Sequence, residues 1–331
     1  MSEPGAGRRW AFRLLVLVVI ALGPVVMRDT YWRSVLVVCA LNVMLALGLD
    51  FVLGYAGQLN LGQAAFYGIG AYTSTLLVTR LGLSFWPSLV AGTVLAGVAG
   101  VALALFAVRL RGHYLAIASL GFAVITYQVL LQWISLTQGP LGIYAIPPPP
   151  SLALPGLPVI DFANPARMFY LVATFALLAY VVLGALVRSP IGETLAAIRE
   201  DEVSAAALGI NTPAWKAFAF GVGSAIAGMA GAFYASFIGT LVPDAFFMTE
   251  SFTVLAMVIV GGLGTLIGPV AGAILLTVLP EALRGVGDLR LIVYGVSLTL
   301  VVLFVPGGLV GTVRTLRERV VERRAPGAAT A

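Results

Sequence analysis

Apolar runs of membrane-helix length, separated by short polar or glycine-rich stretches, fill the chain from residue 10 to residue 310. A helix needs ~20 mostly apolar residues to cross a bilayer core. Ten runs are predicted, near Trp10–Met27, Ser34–Leu53, Leu61–Thr79, Ser84–Val108, Tyr114–Ser135, Met168–Val187, Trp215–Thr240, Glu250–Val260, Leu266–Leu283 and Leu291–Val310. The third and eighth adjoin glycine-rich breaks, so they are candidate half-helices or re-entrant segments; the eighth is too short to cross unaided. The pattern predicts an all-α polytopic membrane protein of about ten transmembrane helices, broken or re-entrant segments included. Its transmembrane domain covers 10–311, between a short N-terminus (1–9) and a basic tail (312–331). The first run follows Arg8 and Arg9 as a signal peptide would, but it extends to Met27 without a small-x-small cleavage site and is read as a retained helix.

Composition removes the soluble alternatives. Hydrophobic residues make up 60% of the 331 and charged residues 10%, against about 25% charged in a typical soluble domain. A single cysteine, Cys39, and a single histidine, His113, leave no material for a disulfide framework or a Cys/His metal cluster. The net charge of +5 is unevenly placed. With an N-in/C-in topology and ten crossings, 13 of the 19 basic residues fall on the cytoplasmic side and 6 outside, as the positive-inside rule requires. An odd number of crossings would put the C-terminal arginine cluster outside. Basic residues so placed mark loops and not a nucleic-acid surface, so no nucleic-acid partner is expected.

Two loops stand out. The outer one, 136–167, is rich in proline, with Pro147–Pro150 in a row; consecutive prolines favour a stiff extended chain, suited to a lid, a docking surface or a spacer. The inner one, 188–213, opens with Ser189-Pro190, a helix start, and closes with Gly209, Asn211 and Pro213, a helix stop. Between them lies an alanine-rich segment with Glu200, Asp201 and Glu202, too polar for lipid yet patterned as helix. It suits either a part gripped by a partner, with Ala205 and Ala206 allowing close approach, or a solvated connector.

Two stretches interrupt the apolar pattern. Residues 54–63 carry Gly54, Gly57, Gln58, Asn60, Gly62 and Gln63; residues 261–269 carry Gly261, Gly262, Gly264 and Gly268. Both begin Gly-x-x-Gly-x-Leu, a hint of two related halves. Unwound backbone at membrane depth survives only inside protein or along a water-filled cavity, and paired breaks in two halves of a transporter point to the solute path. Small residues also permit tight helix packing. Asp50, Glu250 and Glu281 lie near predicted span ends and are read as interfacial, and His113 as an interfacial anchor.

No G-x-x-x-x-G-K-[ST] loop, H-E-x-x-H or G-x-S-x-G motif occurs, so neither an ATP site nor a catalytic residue is predicted. A transporter is the leading class, with an ion-coupled secondary transporter and a passive channel as alternatives.

Five stretches carry a resemblance: GLDFVLGYAGQLNLGQAAFYGIGAY at 48–72, RLRGHYLAIASLGF at 109–122, SLTQGPLGI at 135–143, RSPIGETLAAIREDEVSAAALGIN at 188–211 and VGGLGTLIGPVAGA at 260–273. In this order they resemble the LivM-like permeases of branched-chain amino-acid ABC importers. The resemblance implies a multi-pass protein of the inner membrane and a homologous second permease subunit. It also implies two cytoplasmic ATPase subunits that use ATP, and a periplasmic binding protein that delivers the solute. No cofactor is expected on this chain. The solute would be a branched-chain or related amino acid, with urea or short amides as the alternative. The 188–213 loop resembles the coupling loop that docks on the ATPase. In the pattern E-A-A-x-x-x-G its glycine is Gly209, the glutamate position holds Val203, the alanines fall at Ser204 and Ala205, and Glu202 stands one place early. The coupling candidates are Glu200, Asp201, Glu202, Ala205, Ala206 and Gly209; the path candidates are Gly57, Gln58, Asn60, Gly62, Gln63, Gly261, Gly262 and Gly264.

Overall fold

Local capping chemistry starts five of the described helices, where polar residues meet the apolar runs. The Asp29 carboxylate accepts from the Tyr31 N–H (3.1 Å) and opens α1 (Thr30–Asp50), which continues as a π-helical turn over Phe51–Tyr55. An extended segment follows, then α2 (Gln63–Leu81), closed by Gly82 in the left-handed region, and α3 (Phe85–Phe106). Next come α4 (His113–Gln132) and α5 (Pro165–Val187), the latter started by Asn164 and Pro165. The 188–211 loop holds α6 (Pro190–Glu200) and α7 (Glu202–Ala207). Finally α8 (Thr212–Ile238), α9 (Met248–Gly261) and α10 (Gly268–Ala282) complete the bundle. The computed structural model describes Pro24, Met27 and residues 29–106, 113–151 and 160–284, with Gly295, Gly308, Leu309 and Gly311. Among these residues the regular structure is helical apart from an antiparallel bridge between Ile143 and Leu241.

Among the described residues six helical stretches are long and apolar enough to cross a membrane: Thr30–Tyr55, Phe85–Phe106, Tyr114–Gln132, Pro165–Val187, Thr212–Ile238 and Pro243–Gly261. The third predicted run is an unbroken helix of 19 residues, α2, and its break lies wholly before it. The eighth becomes long enough only by joining the 3-10 turn Pro243–Phe246 to α9. At 14 and 15 residues, α9 and α10 are each ~21–23 Å long, shorter than a ~30 Å bilayer core. The first and tenth runs and both termini lie almost wholly outside the described residues.

α8 is the centre of the packing, lying most extensively against α3 and α2 and also against α1. Such close approach needs small residues, because lipid supplies no hydrophobic drive between helices. Gly70 and Gly228 meet backbone to backbone, so a Cβ on Gly70 would fall on Gly228 itself. A Cβ on Gly48 would stand 2.7 Å from the Gly223 carbonyl oxygen, and one on Gly92 would stand 2.8 Å from that of Gly70. Rings of Tyr67, Tyr72, Phe85, Phe175, Phe233, Tyr234 and Phe246 fill the wider gaps.

The described parts of the proline-rich loop are anchored to the bundle. Ile143 and Leu241 exchange backbone hydrogen bonds (2.9 and 2.8 Å), and Ile146 N–H donates to Gly239 O (3.1 Å). Ile143, Ile146 and Phe162 are buried; residues 152–159 lie outside the described set. At the same end Tyr31 hydrogen-bonds Glu281, and Arg284 stacks over the Tyr31 ring at 4.6 Å.

Gly228→Val should lower the melting temperature of the detergent-solubilised protein or abolish its membrane accumulation, since overpacking costs about 1–3 kcal/mol or more. Gly121→Ala, with open space around its Cβ position, should leave both unchanged.

Candidate functional site: two broken segments and the 188–211 loop

Chain leaving α1 cannot continue as helix through 56–62, where Gly57 adopts φ +68. Its amides must be paired elsewhere, because buried backbone donors cannot be left bare. Gln58 N–H donates to Val52 O (3.0 Å), Leu61 N–H to Ser119 Oγ of α4 (2.9 Å) and Gly62 N–H to Asn60 Oδ1 (2.8 Å). Ala64 N–H, in the first turn of α2, donates to Ser251 Oγ of α9 (2.9 Å). Asn60 Nδ2 donates to Gln63 Oε1 (3.2 Å), and Gln63 Nε2 to Leu45 O of α1 (3.2 Å). Asn60 and Gln63 are thus buried and committed to the chain's own structure. Gln58 is also buried, but its Nε2 has no partner among the described residues. A Cβ on Gly62 would press on Ser119 O at 2.8 Å.

The second break is built alike. Gly262 (φ +119) and Gly264 (φ +69) take conformations that side chains disfavour. Thr265 Oγ1 donates to Gly262 O (2.8 Å) and accepts from Gly268 N–H (3.1 Å), closing the turn into α10. Gly261 packs on Gly268, leaving no room for a Cβ, and Gly308 lies against Gly261 and Gly262.

The two breaks meet. Gly264 N–H donates to Asp50 Oδ1 (2.9 Å), and a Cβ on Gly54 would collide with that carboxylate and come within 2.5 Å of Gly264 N. Asp50 is therefore not interfacial as its position suggested: at 1% exposure it is a buried clasp between α1 and the α9–α10 turn. Arg199 of α6 donates to Gly54 O at the same place. The shared Gly-x-x-Gly-x-Leu pattern thus marks two segments in contact, at the end of the bundle that carries the 188–211 loop.

That loop is two helices, not one. Asp201 takes an extended conformation (φ −152, ψ 108), and its carboxylate accepts from Val203 N–H (2.9 Å) and Ser204 Oγ (2.6 Å). A strong N-cap inside a helical pattern ends one helix and starts the next. Glu202 pairs with Lys216 at 2.6 Å and accepts from Thr212 Oγ1 (3.3 Å), tying α7 to the start of α8. Ala205 is buried; Glu200, Ala206 and Gly209 (φ +86) are exposed. Large apolar side chains stand out from α7 and its C-cap, with Val203 59% and Leu208 83% exposed. Sequence reasoning did not select Val203, Leu208, Arg199, Ser119 or Ser251. Only Asp50, an acid inside an apolar run, carried a usable signal.

A family described as the permease component of the branched-chain amino acid transport system matches residues 31–305. The chain belongs to this permease family. It is similar to the high-affinity branched-chain amino acid transport system permease protein LivM of Escherichia coli K12: 34% identical over 324 residues, 91% of this chain and 75% of that protein. The LivM protein of Salmonella typhimurium is 33% identical over the same shares. The permease is also similar to LivH of Salmonella typhimurium, 28% identical over 286 residues, 81% of this chain and 90% of that protein. No solved structure matches significantly.

Lys216→Met should remove the ion pair to Glu202, costing the α7–α8 corner about 1–3 kcal/mol. Amide hydrogen exchange over 203–210 should quicken while that of α8 stays slow.

Proposed function

We propose that this multi-pass permease is the membrane-spanning subunit of an inner-membrane ABC importer. It takes branched-chain or closely related amino acids inward, powered by two cytoplasmic ATPase subunits, beside a homologous second permease and supplied by a periplasmic binding protein. The similarity of one chain to both LivM and LivH supports a pair of related subunits. The observation that carries the coupling assignment is the α6–α7 projection. It is capped at both helix starts, rooted in the bundle by Arg199 and Glu202, and tipped with exposed Val203, Ala206 and Leu208. An apolar tip on a rigid polar loop suits insertion into a groove of a partner. Leu208 is the anchor, exposed Ala206 allows close approach, and Gly209 ends α7 without adding bulk.

The solute passes beside the 56–62 and 261–268 breaks. The unpaired Gln58 amide is a donor for an amino-acid carboxylate, and Gly57, Gly62 and Gly264 keep backbone close to the path.

Leu208→Asp and Ala206→Trp should leave membrane levels normal. Each should lower co-purification of the ATPase and uptake into proteoliposomes by about tenfold or more, the loss expected for one buried anchor. Normal uptake in both, or uptake by the wild-type complex that persists without ATP, would remove the coupling assignment.

A further inference from the structure

We propose that Arg199 is the lever of this permease: through its hold on Gly54, beside Asp50 and Gly264, it makes the joint between the two broken segments follow the α6–α7 loop. The inference rests on the docking role proposed for that loop and adds the residue through which a movement there reaches the bundle interior.

Three remote parts of the chain converge on one guanidinium. Arg199 lies in the last turn of α6, two residues before the Asp201 hinge. Its Nη1 donates to Gly54 O, a carbonyl in the terminal π-helical turn. Carbonyls at a helix end have no following turn to bond them, so a side chain from elsewhere takes that place. The fit is close on every side. A Cβ on Gly57 would stand 2.8 Å from Arg199 Cγ, and one on Gly264 would stand 2.9 Å from Arg199 Nη1 and 3.1 Å from Gly54 O. Glycine at 57 and 264 is thereby explained by Arg199, and at 54 by the Asp50 carboxylate and Gly264 N, not by helix packing.

Charge completes the joint. Asp50 is a buried carboxylate with one backbone donor, Gly264 N–H, and the positive charge of Arg199 acts on it. A desolvated anion needs such compensation, and withdrawing the cation is costly. Hydrogen bonds fade beyond ~3.2 Å, so a shift of α6 by a few ångströms about the Asp201 hinge suffices to release Gly54 and uncover Asp50. The joint therefore has two states, clasped with Arg199 seated and parted with Arg199 withdrawn. A push on the exposed tip of α7 selects between them.

The test uses the full complex in proteoliposomes, with Arg199→Gln, Arg199→Lys and Asp50→Asn. Spin labels are placed at Leu59 and Leu263, exposed positions in the two breaks, in a Cys39→Ser background. With Arg199→Gln, the ATPase should still co-purify. Uptake should fall about tenfold or more, as loss of a charge-assisted hydrogen bond allows. ATP hydrolysis should no longer be stimulated by loaded binding protein, and the label separation should no longer change when ATP is trapped. Arg199→Lys, which keeps charge and one donor, should recover part of the uptake. Asp50→Asn, which keeps an acceptor for Gly264, should show a smaller loss of stimulation and carries the test if Arg199→Gln does not reach the membrane. Wild-type uptake or a wild-type label response in these variants overturns the lever. Loss of the ATPase from the Arg199→Gln complex also overturns it, by placing Arg199 in the docking contact. A wild-type chain that binds no ATPase overturns the docking role itself, and this result is read before any variant.

Discussion

Backbone amides and carbonyls that leave a helix inside an apolar bundle must find partners within the protein, because lipid offers none. This constraint organises the whole interior. Two segments unwind, at 56–62 and 262–267, and the side chains of Ser119, Ser251, Asn60, Asp50, Thr265 and Arg199 supply what the lost helical turns would have supplied. Each of these comes from another element or from across a turn, so satisfying the breaks also fixes how α1, α4, α6, α9 and α10 sit against one another.

Tight packing around α8 provides the rigid frame for these breaks. Glycines on α1, α2, α3 and α8 bring backbones into direct contact, and dispersion over such surfaces replaces the hydrophobic drive that is missing in lipid. The joint formed by Asp50, Gly54, Gly264 and Arg199 lies at the end of this frame that carries the α6–α7 loop. The loop is tied to a broken segment through Arg199 and to α8 through Glu202, which pairs with Lys216 and accepts from Thr212, while Leu195 and Ile198 of α6 are buried.

Much of the architecture was legible in the sequence. Apolar run length located eight helices to within a few residues, among them Met168–Val187 against the observed Pro165–Val187 and Trp215–Thr240 against Thr212–Ile238. Those signals are local: hydrophobic length, the cap at Ser189 and glycine at the stops; Asn211 and Pro213, read as part of a stop, instead open α8. The motif at 188–213 was legible as a structured loop for the same reason. Its division at Asp201 was not, because a carboxylate that caps the next turn and one that decorates a continuing helix look alike until the backbone is seen.

The sequence by itself determined an all-helical membrane permease, its glycine-rich breaks and its family, since hydropathy, composition and motif order are properties of consecutive residues. Only the tertiary structure decided that the two breaks touch, that Asp50 is a buried clasp, that Asn60 and Gln63 serve the chain's own backbone, and that Arg199 joins the inner loop to Gly54. Those contacts link positions from three residues apart to more than 200 apart. Only the packing of the bundle determines which donors and acceptors end up within ~3 Å of one another.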